Sequence, residues 1–469
     1  MTTLQFHNSL TKQKQAFEPL EPGKVSIYNC GVTVYDRCHL GHARGGVVFD
    51  VLRRFLTSMD YDVTYVKNYT DIDDKIIQRA GEQGVELTKL TTEMIALHDR
   101  DMEALGIQAP DVAPKATEHI PEIVAMIQTL MDKGFAYAKG GDVFFKVRSF
   151  EEYGKLSGKN IDDLVSGSRV QVNDSKEDAL DFVLWKGHKP GEPSWETSFG
   201  AGRPGWHIEC SAMSAKYLGE SFDIHAGGSD LIFPHHENEI AQSECCHEKP
   251  FVQFWLHNGM IKIDDHKMSK SLGNFFTIEE LLEKYEGELI RFFLISAQYR
   301  ASINFTDDAL KEKLEGLDRL YSAMFKAQEQ GLPEEPTDFC SEIQGFKNRF
   351  EAALSDDLNT PMALSVLFEL AKAMNTSEVP ADQGYWLMKD LGSVLGLLQQ
   401  NPEKWFKNPR IKSSEGAGLS EPEIEALIAQ RTAARESKDW ALADQVRDQL
   451  LEAGVILIDS DGVTRWQKK

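Results

Sequence analysis

The sequence predicts an α/β chain: a parallel, doubly wound sheet domain split by an insertion and followed by helical C-terminal domains. Three observations carry that reading. A strand, a glycine-bearing loop, a helix and a second strand follow one another near the N-terminus; the texture changes to short strands and turns between about residues 115 and 205; and the chain turns strongly helical from Asp307. A length of 469 residues also exceeds one hydrophobic core and sets an expectation of about three domains.

Each element has a local cause. Lys24 to Cys30 (KVSIYNC) alternates apolar and polar residues and reads as a strand, followed by a loop of about a dozen residues containing Gly31, Gly41 and Gly45. Val47, Val51, Phe55 and Met59, with Val48, Leu52 and Leu56, then form one apolar stripe at helical spacing. Val63 to Val66 reads as the next strand. In such a βαβ unit ligands sit at the strand C-terminal ends beside helix N-termini, so the first loop is placed for phosphate. Glycines and prolines from Gly134 to Pro193 mark the insertion. Near the end, Ser420 and Glu423 have capping-box spacing with Pro422 in the first turn, and Gly454 fits the position after a helix from about Asp439 to Ala453. The expected domains are residues 1–115 and 205–306 for the two halves of the sheet domain, 116–204 for the insertion, 307–400 for a helical bundle and 401–469 for a small terminal domain.

Composition narrows the class. With 41% hydrophobic and 27% charged residues the chain folds rather than staying disordered. The N-terminus MTTLQFHNSLTKQK has no apolar stretch or cleavage pattern, and no apolar run approaches a membrane span, which predicts a cytoplasmic protein. Six cysteines in so long a chain predict free thiols or metal ligands rather than a disulfide framework. The net charge of −23 runs against a general nucleic-acid binder, but an RNA footprint needs only a local basic stripe.

Two strings carry chemistry. His39-Leu40-Gly41-His42 lies in the first loop, where two imidazoles can donate to a phosphate and Gly41 allows close backbone approach. Lys267-Met268-Ser269-Lys270-Ser271 places two ammonium groups three residues apart, suited to a mobile loop closing over a triphosphate with Gly259 and Gly273 absorbing the backbone change. Together they resemble the HIGH and KMSKS signatures of class I aminoacyl-tRNA synthetases, with Leu40 in place of the usual isoleucine. The stretches Tyr28 to Asp36, Gly205 to Ser211 and Phe233 to Glu239 resemble the cysteine-specific family of that class, and the resemblance runs over nearly the whole chain. It implies a Rossmann-like catalytic domain with a connective insertion.

Those stretches also hold a metal set. Pro234 suits the first turn of a helix, so His235 and Glu239 share a face; Cys30 ends the first strand and Cys210 follows a Gly-Trp-His turn. Two thiolates, an imidazole and a carboxylate suit tetrahedral zinc, one ion per chain, an assignment that the resemblance strengthens. Cys38, Cys245, Cys246 and Cys340 read as ordinary buried or half-buried residues. His236-Glu237 is not an H-E-x-x-H protease motif, because position 240 is Ile.

The family resemblance implies a reaction. Cysteine, ATP with Mg2+, and tRNA(Cys) are the implied partners, with His39, His42, Lys267 and Lys270 stabilising the phosphates and Gly41, Gly227, Gly228 and Asp230 at the nucleotide. Asp230 accepts either from a ribose hydroxyl or from the substrate ammonium. Thr70, Trp206 and His225 would line the cysteine pocket, and no editing site is expected, since thiolate–zinc bonding excludes serine by chemistry rather than size. The same resemblance implies a tRNA-reading C-terminal half, where Arg431, Arg435, Lys438, Trp440, Arg447 and the tail Arg465 to Lys469 interleave cations with aromatics. A monomer is expected. Two alternatives stay open: an ATP-dependent ligase joining cysteine to an amino sugar, and a zinc-bearing RNA-binding relative without activity.

Overall fold

The alternating pattern of Lys24 to Cys30 does form a strand, and it continues to Thr33 because Gly31 allows it. In the computed structural model a Cβ on Gly31 would lie 1.6 Å from the carbonyl oxygen of Asn68 on the neighbouring strand. The backbone N–H of Gly31 donates to Asn68 Oδ1 at 2.8 Å, and the strand register shifts between Asn29 and Val32. The glycine expected in a loop is therefore the bulge of a strand, where two backbones approach too closely for any side chain.

The structure describes residues 3–160, 176–263, 266–267, 275–333, 338–408, 411, 419–460 and 463–468. They divide into two units, the first comprising Met1–Thr277, Ala297–Asn304 and Glu351–Pro361, the second Ile278–Ser296, Phe305–Phe350 and Met362–Lys469.

In the first unit, the hairpin β1 (Gln5–Asn8) and β2 (Gln13–Ala16) precedes β3 (Lys24–Thr33), α1 (Leu40–Ser58) and β4 (Asp62–Thr70). Helices α2 (Asp74–Gln83), α3 (Leu87–Ala104) and α4 (Ile120–Asp132) follow. After the insertion come α5 (Trp206–Leu218), β9 (Phe222–Gly228), α6 (Glu237–His247) and β10 (Val252–Asn258). The sheet order is β10-β9-β3-β4, with every pair parallel. The apolar stripe of α1 is buried against it: Val47, Val51, Leu52, Phe55 and Leu56 are all inaccessible. This is the doubly wound arrangement expected, and it brings the C-terminal ends of β3 and β9 side by side.

The insertion is a separate antiparallel sheet, β5 (Ala136–Lys139), β6 (Asp142–Phe145), β7 (Phe182–Gly187) and β8 (Gly202–Pro204), paired in that order. It shares one core with the helices beneath it, where Phe145 and Trp185 meet Ile208 of α5 and Ala241, Cys245 and Cys246 of α6. Cys245 and Cys246 are thus packing residues, as their sequence context suggested.

Helices dominate from Asp307 onward, with Asp307–Glu329, Ser341–Ser355, Thr360–Asn375 and Ala381–Leu395 in succession. The last part of the second unit packs the helices Glu421–Glu436 and Trp440–Glu452 on a hairpin, Val455–Ser460 and Val463–Lys468, around Ile424, Val446, Leu450 and Trp466. The capping box is present, Ser420 N–H donating to Glu423 Oε2 at 2.8 Å, and Gly454 takes φ +76° just beyond the second helix.

Candidate active site and metal centre

A cavity of about 430 Å3 opens at the C-terminal ends of the central strands, lined by Cys30, His39, Gly41, His42, Trp206, Gly227, Gly228 and Asp230, together with Arg37, Lys67, Lys75 and Asn258. The two histidines are not loop residues ahead of a helix. His39 is the N-cap of α1 and accepts from Gly41 N–H through Nδ1 at 3.1 Å, while His42, in the first turn, accepts from His39 N–H at 3.3 Å. This reciprocal capping extends the helix back over Leu40 to His42, which periodicity alone placed in a loop. The two rings stack at 3.7 Å and 20° beside the positive end of the helix.

Gly227 and Gly228 end β9 where side chains would collide: a Cβ on Gly227 would lie 2.8 Å from the His236 ring, and one on Gly228 2.4 Å from Asp230 Oδ1. Asp230 itself is exposed on the cavity rim. Lys267 lies on the two-residue strand His266–Lys267, paired with Lys262, whereas Lys270 and Gly273 lie outside the described residues.

At the inner edge of the cavity Cys30, Cys210, His235 and Glu239 offer four ligand atoms within 4.8 Å of one another. Cys30 Sγ is 3.6 Å from Cys210 Sγ, 3.4 Å from His235 Nε2 and 3.6 Å from Glu239 Oε1; His235 Nε2 is 3.0 Å from Glu239 Oε1. The edges of a tetrahedron around an ion bonded at zinc–nitrogen and zinc–sulfur lengths run about 3.3 to 3.8 Å, so the set fits a tetrahedral ion. Cys30 and Glu239 also belong to an overlapping set with His225 and His236. The first set has two sulfur donors and is the softer.

Its electrostatics suit a cation. A hydrogen bond from Cys30 lowers the Cys210 thiol to about 6, while burial first and Cys210 second push Cys30 well up, so the pair shares one proton. Burial opposes charge on Glu239, but His225 and His235 outweigh it and hold the carboxyl at about 2. Burial likewise opposes charge on His235, yet Glu239 and Cys210 raise it to about 10. The cluster thus concentrates negative charge that binds either protons or a metal.

Surrounding groups orient these ligands. His225 is fully buried and its Nε2 lies 2.9 Å from Glu239 Oε2, so it stands behind the carboxylate and not on the cavity surface. His207 Nδ1 approaches His235 Nδ1 at 2.9 Å. Thr70 is buried too, its hydroxyl donating to Glu209 Oε2 at 2.9 Å. Of the three expected pocket residues, Trp206 alone lines the cavity. Sequence reasoning missed His207, Glu209 and Glu237, although all three stand within the quoted Gly205 to Ser211 and Phe233 to Glu239 strings.

Phe233 is extended (φ −139°, ψ 131°), as the residue before a proline tends to be, and the helical backbone starts at Pro234, in a wide turn over Ile232–His236 that runs into α6 at Glu237. Pro234 thus stands in the first turn, as its sequence position suggested, and His235 and Glu239, four residues apart, share a face with Nε2 and Oε1 at 3.0 Å.

The terminal cations divide. Arg431 is a structural residue: it is buried, and its guanidinium donates to both carboxylate oxygens of Asp459 at 2.9 and 2.7 Å. Trp466 is buried as well, with its indole N–H on Glu425 at 2.6 Å, and Arg465 is paired with Glu329. These three belong to the packing because the hairpin that carries Asp459 and Trp466 folds back on the helix of Arg431. Arg435 also reaches Asp459 but stays exposed, as do Lys438, Arg447 and Trp440, the last 60% accessible.

Comparison with known proteins agrees with this architecture. A family model described as the class I (C) tRNA synthetase catalytic domain matches residues 16–315, a DALR domain matches 349–399, and a cysteinyl-tRNA ligase anticodon binding domain matches 418–466. The cysteine–tRNA ligase of Thioalkalivibrio sulfidiphilus is 51% identical over 470 residues, covering 99% of this chain and 100% of that protein. That of Laribacter hongkongensis is 51% identical over 466 residues, with the same coverage. Among solved structures, methionyl-tRNA synthetase of Mycobacterium tuberculosis in complex with methionyl-adenylate covers 81% of this chain and 92% of its own at a TM-score of 0.60 and 14% identity, a likeness of fold. The chain therefore belongs to the cysteine–tRNA ligase family of class I synthetases.

Proposed function

We propose that this chain activates L-cysteine with ATP, forming cysteinyl-adenylate and pyrophosphate, and transfers the cysteine to the 3′ end of tRNA(Cys). The observation that carries the reading is the convergence of two thiols, an imidazole and a carboxylate at the edge of the cavity that also holds both histidines of the α1 N-terminus. A purely structural ion gains nothing from that position, whereas a substrate-selecting one does.

The substrate carboxylate is already ionised near pH 7, so no general base is needed: its oxygen attacks the α-phosphorus in line and pyrophosphate leaves. His39 and His42 donate to phosphate oxygens at the helix terminus, and Lys267 and Lys270 neutralise the pyrophosphate together with Mg2+. Gly227 and Gly228 let the nucleotide approach the strand end, with Asp230 at the rim for a hydroxyl or ammonium donor. Trp206 covers the amino-acid end. Cys30, Cys210, His235 and Glu239 would hold one Zn2+, which binds a thiolate strongly and a neutral serine hydroxyl weakly; His225 orients Glu239 and His207 orients His235. Residues 116–204 serve as the connective insertion, 307–400 as the tRNA-binding bundle and 401–469 as the anticodon reader. Arg435, Lys438, Trp440 and Arg447 contact the RNA there. The matching anticodon-binding model over residues 418–466 favours tRNA over an amino-sugar acceptor. The protein works as a cytoplasmic monomer; no helix among the described residues is long and apolar enough to cross a membrane.

The test is cysteine-dependent ATP–pyrophosphate exchange on purified protein, with zinc quantified in the same sample and serine as competitor. Exchange with cysteine and not serine, at one zinc per chain, followed by charging of tRNA(Cys), is the expected result. Absence of exchange from folded, zinc-replete protein overturns the reading.

A further inference from the structure

The insertion reaches the metal centre along a single helix. Glu237, the first residue of α6, is fully buried, and its carboxylate accepts three backbone N–H groups from the segment that follows β6: Gly154 at 2.9 Å, Leu156 at 3.4 Å and Ser157 at 2.8 Å. Around this anchor the same segment grips its surroundings three more times. The Tyr153 hydroxyl donates to Asn238 Oδ1 at 2.5 Å, the Lys155 ammonium pairs with Glu244 at 2.5 Å, and the Lys159 ammonium lies 3.9 Å over the Phe233 ring. The turn is shaped for the purpose: Gly154 takes φ +99°, and a Cβ there would lie 2.2 Å from the Lys159 carbonyl oxygen. A buried carboxylate held by backbone N–H groups is a strong, directional contact, and removing either side leaves the other without compensation.

His235 lies two residues before Glu237 and Glu239 two residues after it. The insertion therefore grips α6 between the two cluster ligands that this part of the chain supplies, while Cys30 and Cys210 come from other elements. The geometry points to Glu237 as a positioning residue for thiol selection: by anchoring residues 153–159 it sets the rotation and axial height of α6, and with them the placement of His235 and Glu239 against the two cysteines. This rests on the metal-centre reading above, and it makes the insertion part of the amino-acid site.

Three variants test it from both sides of the contact: Glu237→Gln weakens the acceptor, Ser157→Pro deletes one N–H donor without touching α6, and Tyr153→Phe removes the neighbouring hydroxyl. Zinc affinity is measured by competition with a chromophoric chelator. The visible spectrum of the cobalt(II)-substituted protein is recorded with and without L-cysteine, and KM values for cysteine and ATP are taken from pyrophosphate exchange. Outer-shell partners of metal ligands set affinity by roughly 10- to 100-fold. E237Q and S157P are expected to weaken zinc binding about tenfold or more, shift the cobalt spectrum, and raise the cysteine KM while the ATP KM stays within about twofold; Y153F moves the same way by less. Unchanged zinc affinity and cobalt spectra in the folded variants overturn the proposal, as does a parallel rise of both KM values. If one variant fails to fold, the remaining two decide. Wild-type protein that binds zinc but shows no exchange would defeat the functional reading alone, because the chelator and cobalt measurements still judge the anchor.

Discussion

Trp206 lies flat against His235, ring centroids 4.2 Å apart and planes 16° from parallel, and it also lines the cavity. One side chain thus forms a wall of the substrate cavity and a clamp on a ligand of the metal cluster. Stacked aromatic pairs contribute about 0.5–1.5 kcal/mol beyond their buried area. Trp206→Ala is expected to raise the cysteine KM in pyrophosphate exchange roughly tenfold and leave that of ATP nearly unchanged, with Trp206→Phe in between. Equal effects on both substrates would sink the assignment.

Metal removal is the most direct test of the cluster. Chelation should abolish cysteine-dependent exchange and lower the thermal midpoint, since a bound ion stabilises the folded state that holds its ligands. Cys210→Ala is expected to drop zinc from one per chain to a small fraction by atomic emission, whereas Cys246→Ala, buried in the insertion core, should keep full zinc and lose only stability.

Acid sensitivity has a definite sign at His257. Burial first, then the neighbouring His225, push this imidazole down to about 3 against the opposing pull of the Glu239 carboxylate, and its Nε2 lies 2.8 Å from His236 Nδ1. Below pH 6.5 the unfolded chain takes up a proton that the folded state refuses, so this contribution to stability is complete above pH 6.5 and declines as pH falls toward 3. At pH 5.5 the loss amounts to about 1.4 kcal/mol. Urea midpoints of the zinc-loaded protein should therefore fall between pH 7.5 and 5.5, and His257→Asn should flatten that slope; an equally steep slope in the variant contradicts the account.

In the terminal domain, Arg431→Ala is expected to destabilise by about 1.5–3 kcal/mol, the range for hydrogen bonds to a charged partner, because Asp459 loses its two-pronged guanidinium partner and keeps only Arg435 and the Thr464 hydroxyl. Trp440→Ala should leave both the thermal midpoint and pyrophosphate exchange unchanged and reduce tRNA charging. Charging at the wild-type rate would remove Trp440 from the RNA surface.

What the sequence disclosed was what depends on local period and chemistry. The stripe from Val47 to Leu56 is helical because its apolar spacing admits one buried face, and the Ser420–Glu423 box is visible because both partners lie within one turn. Side chains that act at a distance were harder to place. Cys30 on β3, Cys210 on α5 and the His235–Glu239 pair are scattered along the chain and meet only in the fold; their residue types and a family resemblance suggested the set, and only the His235–Glu239 pair had a short spacing to announce it. Arg431 looked like an exposed cation because its partner Asp459 lies on a hairpin folded back in space. The helix start at His39 was hidden for a different reason: two histidines perform a capping exchange usually made by serine and glutamate.

That exchange also settles where the imidazole protons reside. A backbone N–H can only donate, so Nδ1 of His39 and Nδ1 of His42 must each present a lone pair, and in the neutral ring the hydrogen then sits on Nε2. With both Nδ1 atoms committed to the backbone of the helix terminus, it is the Nε2 side of each ring that can meet a phosphate.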